Sequence, residues 1–256
     1  MKVDRVIMAL TANPKYTGYW PYVSKLWTEK FGITPTLVFY GTEQEQLACG
    51  IRHGEFIRLN RIESVTLSRE REWACTWGLF YGATLFPDDI CMLSGIDQVP
   101  LSGLFFDELK KVPNWPSKYV VGFGDAYRGS YFPSSHHVAT GKMFRKIYDI
   151  DPNWQMEIEK VYATRSRYPQ HVAADCWGLD ETYSSEFLLK HQDVALMDIF
   201  WRLWHPRRID RVNPTAADFD RIRHGYFSEW HGLRPFEAND QTVLAQLHEA
   251  IPVYTW

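Results

Sequence analysis

Val6-Ile7-Met8-Ala9-Leu10 is an uninterrupted apolar run that ends in the loop residues Thr11-Ala12-Asn13-Pro14. Tyr19 to Phe31 then carries a helical pattern (Tyr19, Tyr22, Val23, Leu26, Trp27, Phe31) closed by Gly32, and Thr36-Leu37-Val38-Phe39-Tyr40 is a second apolar run between Pro35 and Gly41. Strand, helix and strand in so short a span read as a βαβ unit. Working outward, Glu55 to Leu59 is a third strand candidate, and Ser68 is a candidate N-cap with Glu70 and Glu72 in the first turn. The helix it opens shows Trp73, Trp77, Phe80 and Leu85 at near-helical spacing and stops at Phe86-Pro87-Asp88-Asp89, where Ile90 to Leu93 resumes as a buried strand. This alternation predicts an α/β fold with a mostly parallel, doubly wound sheet and ligands at the carboxyl ends of its strands.

Beyond residue 110 the pattern loosens. Tyr119 to Phe123 reads as a strand, Gly141 to Tyr148 and Thr182 to His191 as helices, and Val194 to Trp204 as either. No repeat and no Gly/Ser linker divides the chain, so 1–256 is expected to form one domain, regular over about 1–105 and irregular over about 106–256. The 256 residues carry 28 basic and 31 acidic side chains, a net charge of -3 that provides no drive toward nucleic acid or an anionic membrane. The Met1 to Leu10 segment does not read as a secretory signal and no window approaches a membrane span, so a cytoplasmic location is expected. Cys49, Cys75, Cys91 and Cys176 form no CxxC pair and are expected to be isolated thiols. The unexplained feature is the aromatic load of 11 Trp, 14 Tyr and 15 Phe. It predicts either a Trp-rich core or one cleft lined by Tyr16, Tyr19, Trp20, Tyr127, Tyr131, Phe132, Trp177 and Trp230.

The chemistry-bearing segment is Asp88 to Leu101. Asp97, after a buried strand and before Pro100, is placed to project a carboxylate into the ligand crevice, a frequent position for holding a hard divalent ion together with phosphates; it equally suits the start of a turn. Asp88-Asp89 reads as a solvated turn. His136-His137 with His171 and Asp175 is a weaker metallohydrolase candidate without an HExxH pair. Gly122, Gly124 and Gly129 miss the dinucleotide fingerprint and suit a cleft-lining loop. Neither a GxSxG nor a Walker A motif occurs. Arg202, Arg207, Arg208 and Arg211, interleaved with Asp198 and Asp210, read as a solvated or self-paired face. Trp201 and Trp204 beside them would fit single-strand nucleic acid, which the net charge argues against.

The run Leu79-Phe80-Tyr81-Gly82-Ala83-Thr84-Leu85-Phe86-Pro87-Asp88-Asp89-Ile90, followed by Ser94-Gly95-Ile96-Asp97-Gln98-Val99-Pro100-Leu101, resembles the DxD region of GT-A glycosyltransferases. It is most similar to the small glycosyltransferase domains linked to capsid glycosylation in large algal viruses. Thr11 to Tyr16 with Tyr19-Trp20-Pro21, His136 to Gly141, Trp177-Gly178-Leu179-Asp180-Glu181 and His231-Gly232-Leu233-Arg234-Pro235 fall in the order that such enzymes use.

The resemblance implies a glycosyltransferase, a hexosyl- or pentosyltransferase that moves a sugar from a nucleotide-diphosphate donor to a carbohydrate hydroxyl with inversion. Residues 1–105 would bind the donor and 106–256 the acceptor. Thr11, Asn13, Tyr16, Arg71, Ser94, Asp97 and Arg234 would hold the donor, and Asp97 with His231 would hold Mn²⁺ or Mg²⁺ against its diphosphate. Asp180 or Glu181 would deprotonate the acceptor, beside Trp177, His137 and Asp175. Two departures stand out. Gly95 occupies the place of the first DxD acid, and Trp77-Gly78 stand where a basic residue of the long helix would face the donor. With Asp97 the sole direct carboxylate, a metal-independent enzyme is an alternative, and the rival reading from another class is a non-catalytic carbohydrate- or nucleotide-sugar-binding module.

Overall fold

A computed structural model describes residues 1–49, 55–60, 68–127, 131–164 and 179–256, the side chains of 68–70 and 179–180 excepted. β1 (Arg5–Leu10) pairs in parallel with β2 (Thr34–Tyr40) on one side and β4 (Ile90–Leu93) on the other, and β3 (Glu55–Leu59) extends the β2 side in parallel. Past β4 lie β7 (His137–Thr140), antiparallel to both neighbours, then β6 (Tyr119–Val121) and β8 (Val194–Leu196), which are parallel to each other. The sheet order is 3-2-1-4-7-6-8. The α/β, mostly parallel expectation therefore holds, with one reversed strand. The chain leaves β1 toward β2 and β3 but returns on the other side at β4, so the switch point lies between β1 and β4.

Both faces of the sheet are covered, which is why its strands read as continuous apolar runs. Successive residues point to opposite faces. Val6, Met8, Leu10, Leu37, Phe39, Ile90, Met92 and Val120 enter one core with the helix Tyr19–Phe31. Ile7, Val38, Tyr40, Cys91, Leu93, Tyr119 and Val121 enter the other with Trp73, Trp77 and Phe80 of the helix Ser68–Thr84. Gly32 ends the first helix in the left-handed conformation that its sequence position predicts. In the second core the Trp77 Nε1–H donates to buried Glu157 at 3.0 Å, and the Asp151 amide at 2.8 Å and Lys160 at 2.8 Å complete that carboxylate's partners. Arg5 ties the opposite ends of the strands together, reaching Asp89 at 2.7 Å, Thr36 at 3.0 Å and Glu55.

Other boundaries differ from the sequence pattern. The strand at Tyr119 ends at Val121, because Gly122 lies against the His136 carbonyl and donates its N–H there at 2.9 Å. The expected Thr182 to His191 helix runs Leu179–Leu188. Val194 to Trp204 is strand first and then a wide helical turn, Phe200–Trp204. A second, three-stranded sheet is added that periodicity does not predict, in the order β5 (Gln98–Pro100), β10 (Glu229–His231), β9 (Arg208–Asp210). Among the described residues, Cys49, Cys75 and Cys91 are free thiols and no helix is long and apolar enough to cross a membrane. Cys176 and His171 lie outside the described residues.

The helix Gly141–Tyr148 starts against the end of the helix Ser68–Thr84, with the Gly141 N–H donating to Asp89 O at 3.2 Å and that of Lys142 to Pro87 O at 3.0 Å. A Cβ on Gly141 would lie 2.2 Å from Phe86 O and 2.4 Å from Ala83 O, both backbone atoms that cannot rotate away. Gly141→Ala should therefore lower stability by about 1–3 kcal/mol, the usual cost of overpacking. Urea unfolding measures it, and an unchanged midpoint would show that the two helices separate freely.

Candidate functional site

The small sheet assembles the site by simple alternation. Trp230, Ile209 and Val99 point into the core beneath it. The opposite face then carries Glu229 and His231 from β10 and Arg208 and Asp210 from β9. The strands are parallel and in register, Glu229 opposite Arg208 and His231 opposite Asp210, so four polar groups meet. β5 pairs on the other edge, His231 opposite Gln98. The Gly232 N–H donates to the Asp97 carbonyl at 3.1 Å, which draws the Asp97 turn and the 231–234 segment together. Gly232 is required there: a Cβ would lie 2.1 Å from the Tyr19 hydroxyl, which itself donates to Leu233 O.

Asp97 is 5% exposed. Its Oδ2 accepts from Arg234 Nε at 2.6 Å and Arg211 Nη1 at 2.7 Å, and His231 Nε2 lies 3.6 Å away. Burial alone would raise this carboxyl's pKa, but the His231 contact and the Arg234 and Arg211 charges outweigh it and hold the group well below the usual carboxylate range. Arg208 Nη2 approaches His231 Nδ1 at 2.7 Å and Asp210 Oδ1 at 2.7 Å, and Arg211 Nη2 approaches His231 Nε2 at 3.0 Å. Arg211 follows β9 at φ 56°, a left-handed backbone that is uncommon for a residue with a side chain. It is fixed by its N–H donating to His231 O at 2.8 Å and by its guanidinium donating to Gly232 O at 2.7 Å.

Above this network opens a cavity of about 390 Å³. It lies at the carboxyl ends of β1 and β4, where a doubly wound sheet binds ligands. Asp97, Arg208, His231 and Arg234 form one wall, Ser94, Gly95 and Gln98 the floor, and Glu181 lines it from the start of the helix Leu179–Leu188. Phe123, Tyr127 and Phe200 supply an aromatic wall. Asp125 joins its two segments by accepting from the Phe200 amide at 2.9 Å and the Trp201 amide at 3.3 Å.

Of the residues singled out in sequence, Ser94, Asp97, Glu181, His231 and Arg234 therefore share one cavity. Tyr16 sits under the Arg234 guanidinium, 4.9 Å from its ring centre, with its hydroxyl pKa raised by burial. Thr11 and Asn13 lie in the loop after β1 but do not line the cavity. Thr11 accepts from the Asn13 amide at 3.3 Å, and Asn13 caps the short helix Pro14–Thr17 and donates to Glu72 at 2.8 Å. Arg71, near the start of the helix Ser68–Thr84, does not line it either. Asp175, Trp177 and the side chain of Asp180 lie outside the described residues. The cleft of stacked rings does not form as expected. Tyr19, Trp20, Phe132 and Trp230 are core residues, and Tyr127 alone of the described rings in that set lines the cavity. The basic face is partly self-paired through Arg208 and Asp210, as its pattern suggests, but Arg208 and Arg211 belong to the site and sequence reading placed them outside it.

His137 is not at an acceptor surface. It is fully buried, its Nε2–H donates to Pro133 O at 2.6 Å, and its Nδ1 accepts from the Tyr119 hydroxyl at 2.7 Å. With its one hydrogen so committed, Tyr119 accepts from Tyr148 at 2.7 Å. Burial pushes the His137 imidazole pKa down to about 4 against the opposing Pro133 hydrogen bond. His136, at φ 62°, points to the other core, packs on Phe105, Phe123 and Trp204, and approaches Glu229 at 3.5 Å; burial keeps it neutral too. Burial raises Glu229 to about 7 despite the charges of His231 and Arg208.

The divalent cation that the DxD resemblance implies does not fit these residues. Asp97 Oδ2 is already shared by two guanidinium groups and both nitrogens of His231 face guanidinium nitrogens, so a cation there would sit against Arg208, Arg211 and Arg234. Gly95 adds no carboxylate, and its N–H donates to Gln98 Oε1 at 2.7 Å. Among the described residues, no group of three or more His, Cys, Asp or Glu side chains is placed to hold a metal.

Neither a family model nor a curated protein matches the chain. Among solved structures it is similar to a galactosyltransferase, LgtC, in complex with donor and acceptor sugar analogs, at 11% identity over 98% of this chain and 97% of that one, with a TM-score of 0.47. A likeness of that size assigns neither activity nor residues.

The buried histidines have a consequence for pH. An imidazole held neutral when folded, but of ordinary pKa when unfolded, makes the unfolded chain bind more protons below about pH 6.5. Its stabilising contribution is complete above that pH and is lost as pH falls toward about 4. Glu229 acts in the opposite sense: its contribution is complete below the ordinary carboxyl pKa of 4.5 and is lost as pH rises through about 7. Comparing His137→Gln with the parent isolates the first effect. The variant should lose less stability than the parent between about pH 7.5 and about pH 5, by on the order of 2 kcal/mol in urea unfolding. Equal losses would mean that His137 is protonated in the folded protein.

Proposed function

We propose that the chain is a glycosyltransferase of GT-A type that moves a sugar from a nucleoside-diphosphate donor to a hydroxyl of a carbohydrate acceptor. The observation that carries this reading is the cavity at the β1/β4 switch point, where Arg208, Arg234 and His231 line the same space as Glu181. Its volume of about 390 Å³ is of the size that holds a small ligand. Phe123, Tyr127 and Phe200 give a sugar ring an apolar face to lie on.

In the inverting reaction the acceptor oxygen attacks the anomeric carbon while the bond from that carbon to the β-phosphate oxygen breaks. Glu181 takes the acceptor's proton, and the departing diphosphate keeps the electron pair and gains negative charge. Fixed donors aimed at that oxygen lower the barrier because they need no reorganisation as charge develops. Asp180, one residue away, is the second candidate for the base. The likeness to capsid-glycosylating domains and the assignment to hexosyl or pentosyl transfer are part of this proposal.

Incubation with a panel of UDP- and GDP-sugars, with and without a sugar acceptor, tests it by release of nucleoside diphosphate. Glu181→Gln should cut release about 10²–10⁴-fold, the range of a lost general base, with donor affinity changed less than about twofold. Donor binding without release in the parent protein would identify a non-catalytic module. If no nucleotide sugar raises the melting temperature, the reading falls.

A further inference from the structure

The wall of the cavity is built of cations that have donors to spare. Arg234 uses only its Nε on Asp97, and its ring contact is with Tyr16. Among the described residues its two terminal nitrogens have no hydrogen-bond partner, and its side chain is 36% exposed where it lines the cavity. Arg208 uses Nη2 on Asp210 and His231, leaving Nη1 without a partner among the described residues. Beside them Asp97 is buried and Arg211 half-buried, with Asp97 Oδ2 shared by Arg211 and Arg234. Three guanidinium groups face the carboxylates of Asp97 and Asp210, with the buried carboxyl group of Glu229 4.0 Å from Arg208 Nε. The arrangement is costly to maintain. Arg211 is held in a left-handed backbone conformation, and a carboxylate is buried beneath two arginines, an arrangement that stability alone does not favour over apolar packing.

We propose that Arg234 and Arg208 bind the diphosphate of a nucleoside-diphosphate ligand directly, in place of a divalent cation, while His231, both of whose nitrogens face arginines, helps to hold them. Asp97 and Arg211 are the positioning residues that hold this wall in shape. The inference rests on the reading of the cavity as a nucleotide-sugar site. The Arg234 fork matches two phosphate oxygens, which a guanidinium does and an ammonium does not. Asp97, which by its place after β4 looks like a metal ligand, is instead the internal counter-ion that aims Arg234. Charge developing on the β-phosphate oxygen is met by guanidinium groups tethered to the chain.

Calorimetric titration of the whole chain with inorganic pyrophosphate, UDP and GDP, in EDTA and in MnCl2, tests this. Binding in EDTA is expected, with the dissociation constant changed less than about twofold by Mn²⁺ and increasing with added NaCl as ionic attraction is screened. Arg234→Gln and Arg208→Gln should each weaken pyrophosphate about tenfold or more, the loss of a charge-assisted pair. Arg234→Lys should recover only part of the loss. Asp97→Asn should weaken binding by the same factor with and without Mn²⁺, whereas a metal ligand would lose the Mn²⁺-dependent part alone. Melting curves of each variant separate lost binding from lost folding, and Arg234→Lys serves where Arg234→Gln unfolds. Diphosphate binding that appears only with Mn²⁺, or a Mn²⁺ paramagnetic-resonance signal that binds with UDP and vanishes in Asp97→Asn, would overturn the inference and leave the glycosyltransferase reading intact. Failure of every diphosphate to bind under either condition would overturn both.

Discussion

A carboxylate taken out of water must be matched by charge and hydrogen bonds or the fold does not form, and Asp97 is that carboxylate here. Its three partners come from two distant parts of the chain: Arg211 after β9, and His231 and Arg234 at the end of β10 and in the loop just beyond. Meeting this one demand fixes the small sheet against the large one. It also sets how closely the 231–234 segment approaches the helix Tyr19–Phe31, where Gly232 leaves room for only the Tyr19 hydroxyl. Removing one member of such a cluster leaves the others buried without counter-charge, so the cost would exceed that of losing a surface pair several-fold. The same constraint shapes the site, because whatever holds Asp97 also forms the cavity wall.

The large sheet was legible because its strands are buried on both faces and its first helix has a full apolar stripe and a Gly cap. Val6 to Leu10, Tyr19 to Phe31 and Ile90 to Leu93 each carry enough residues for the pattern to speak. The small sheet was not legible. Arg208-Ile209-Asp210 and Glu229-Trp230-His231 do alternate polar and apolar, but three residues are too few to distinguish a strand from a loop, and their register is a long-range fact. Asp97 shows the limit of reading a site from residue type. A carboxylate after a buried strand looks the same in sequence whether its partner is a metal ion or a guanidinium 114 residues away. The arginines that decide the matter were visible only as a charge run, and their nearest acids, Asp198 and Asp210, made a solvated face the simpler reading.

The histidine pair makes the same point from the core. His136 and His137 are neighbours in sequence and face opposite layers, one against Phe105, Phe123 and Trp204, the other against Phe80 and Tyr119. The left-handed backbone of His136, just ahead of β7, accompanies that separation, and the two adjacent histidines do not meet at one ion. The aromatic load resolves in the same way. Most of the large rings serve two cores on either side of one sheet, and Phe123, Tyr127 and Phe200 are left to line the cavity. Composition alone could not divide these uses, because burial and stacking ask for the same side chains.

Charge placed on a short secondary sheet, rather than on the central one, has a physical advantage. The central strands are covered on both faces, so a guanidinium there would pay full desolvation. β9 and β10 bury Ile209 and Trp230 on one face, and on the other carry Arg208 and His231 at the cavity, with Asp210 exposed beside them and Glu229 buried. Acids and bases alternate across that face, so each cation has a local partner when no ligand is bound. An entering phosphate then finds donors whose positions are already set by Asp97 and Asp210, and little of its binding energy goes into ordering long side chains. A site of this kind depends on the integrity of the sheet contacts beneath it, above all Trp230 in the core and the Gly232 to Asp97 hydrogen bond. The surface that meets the ligand is therefore governed by residues that never touch it.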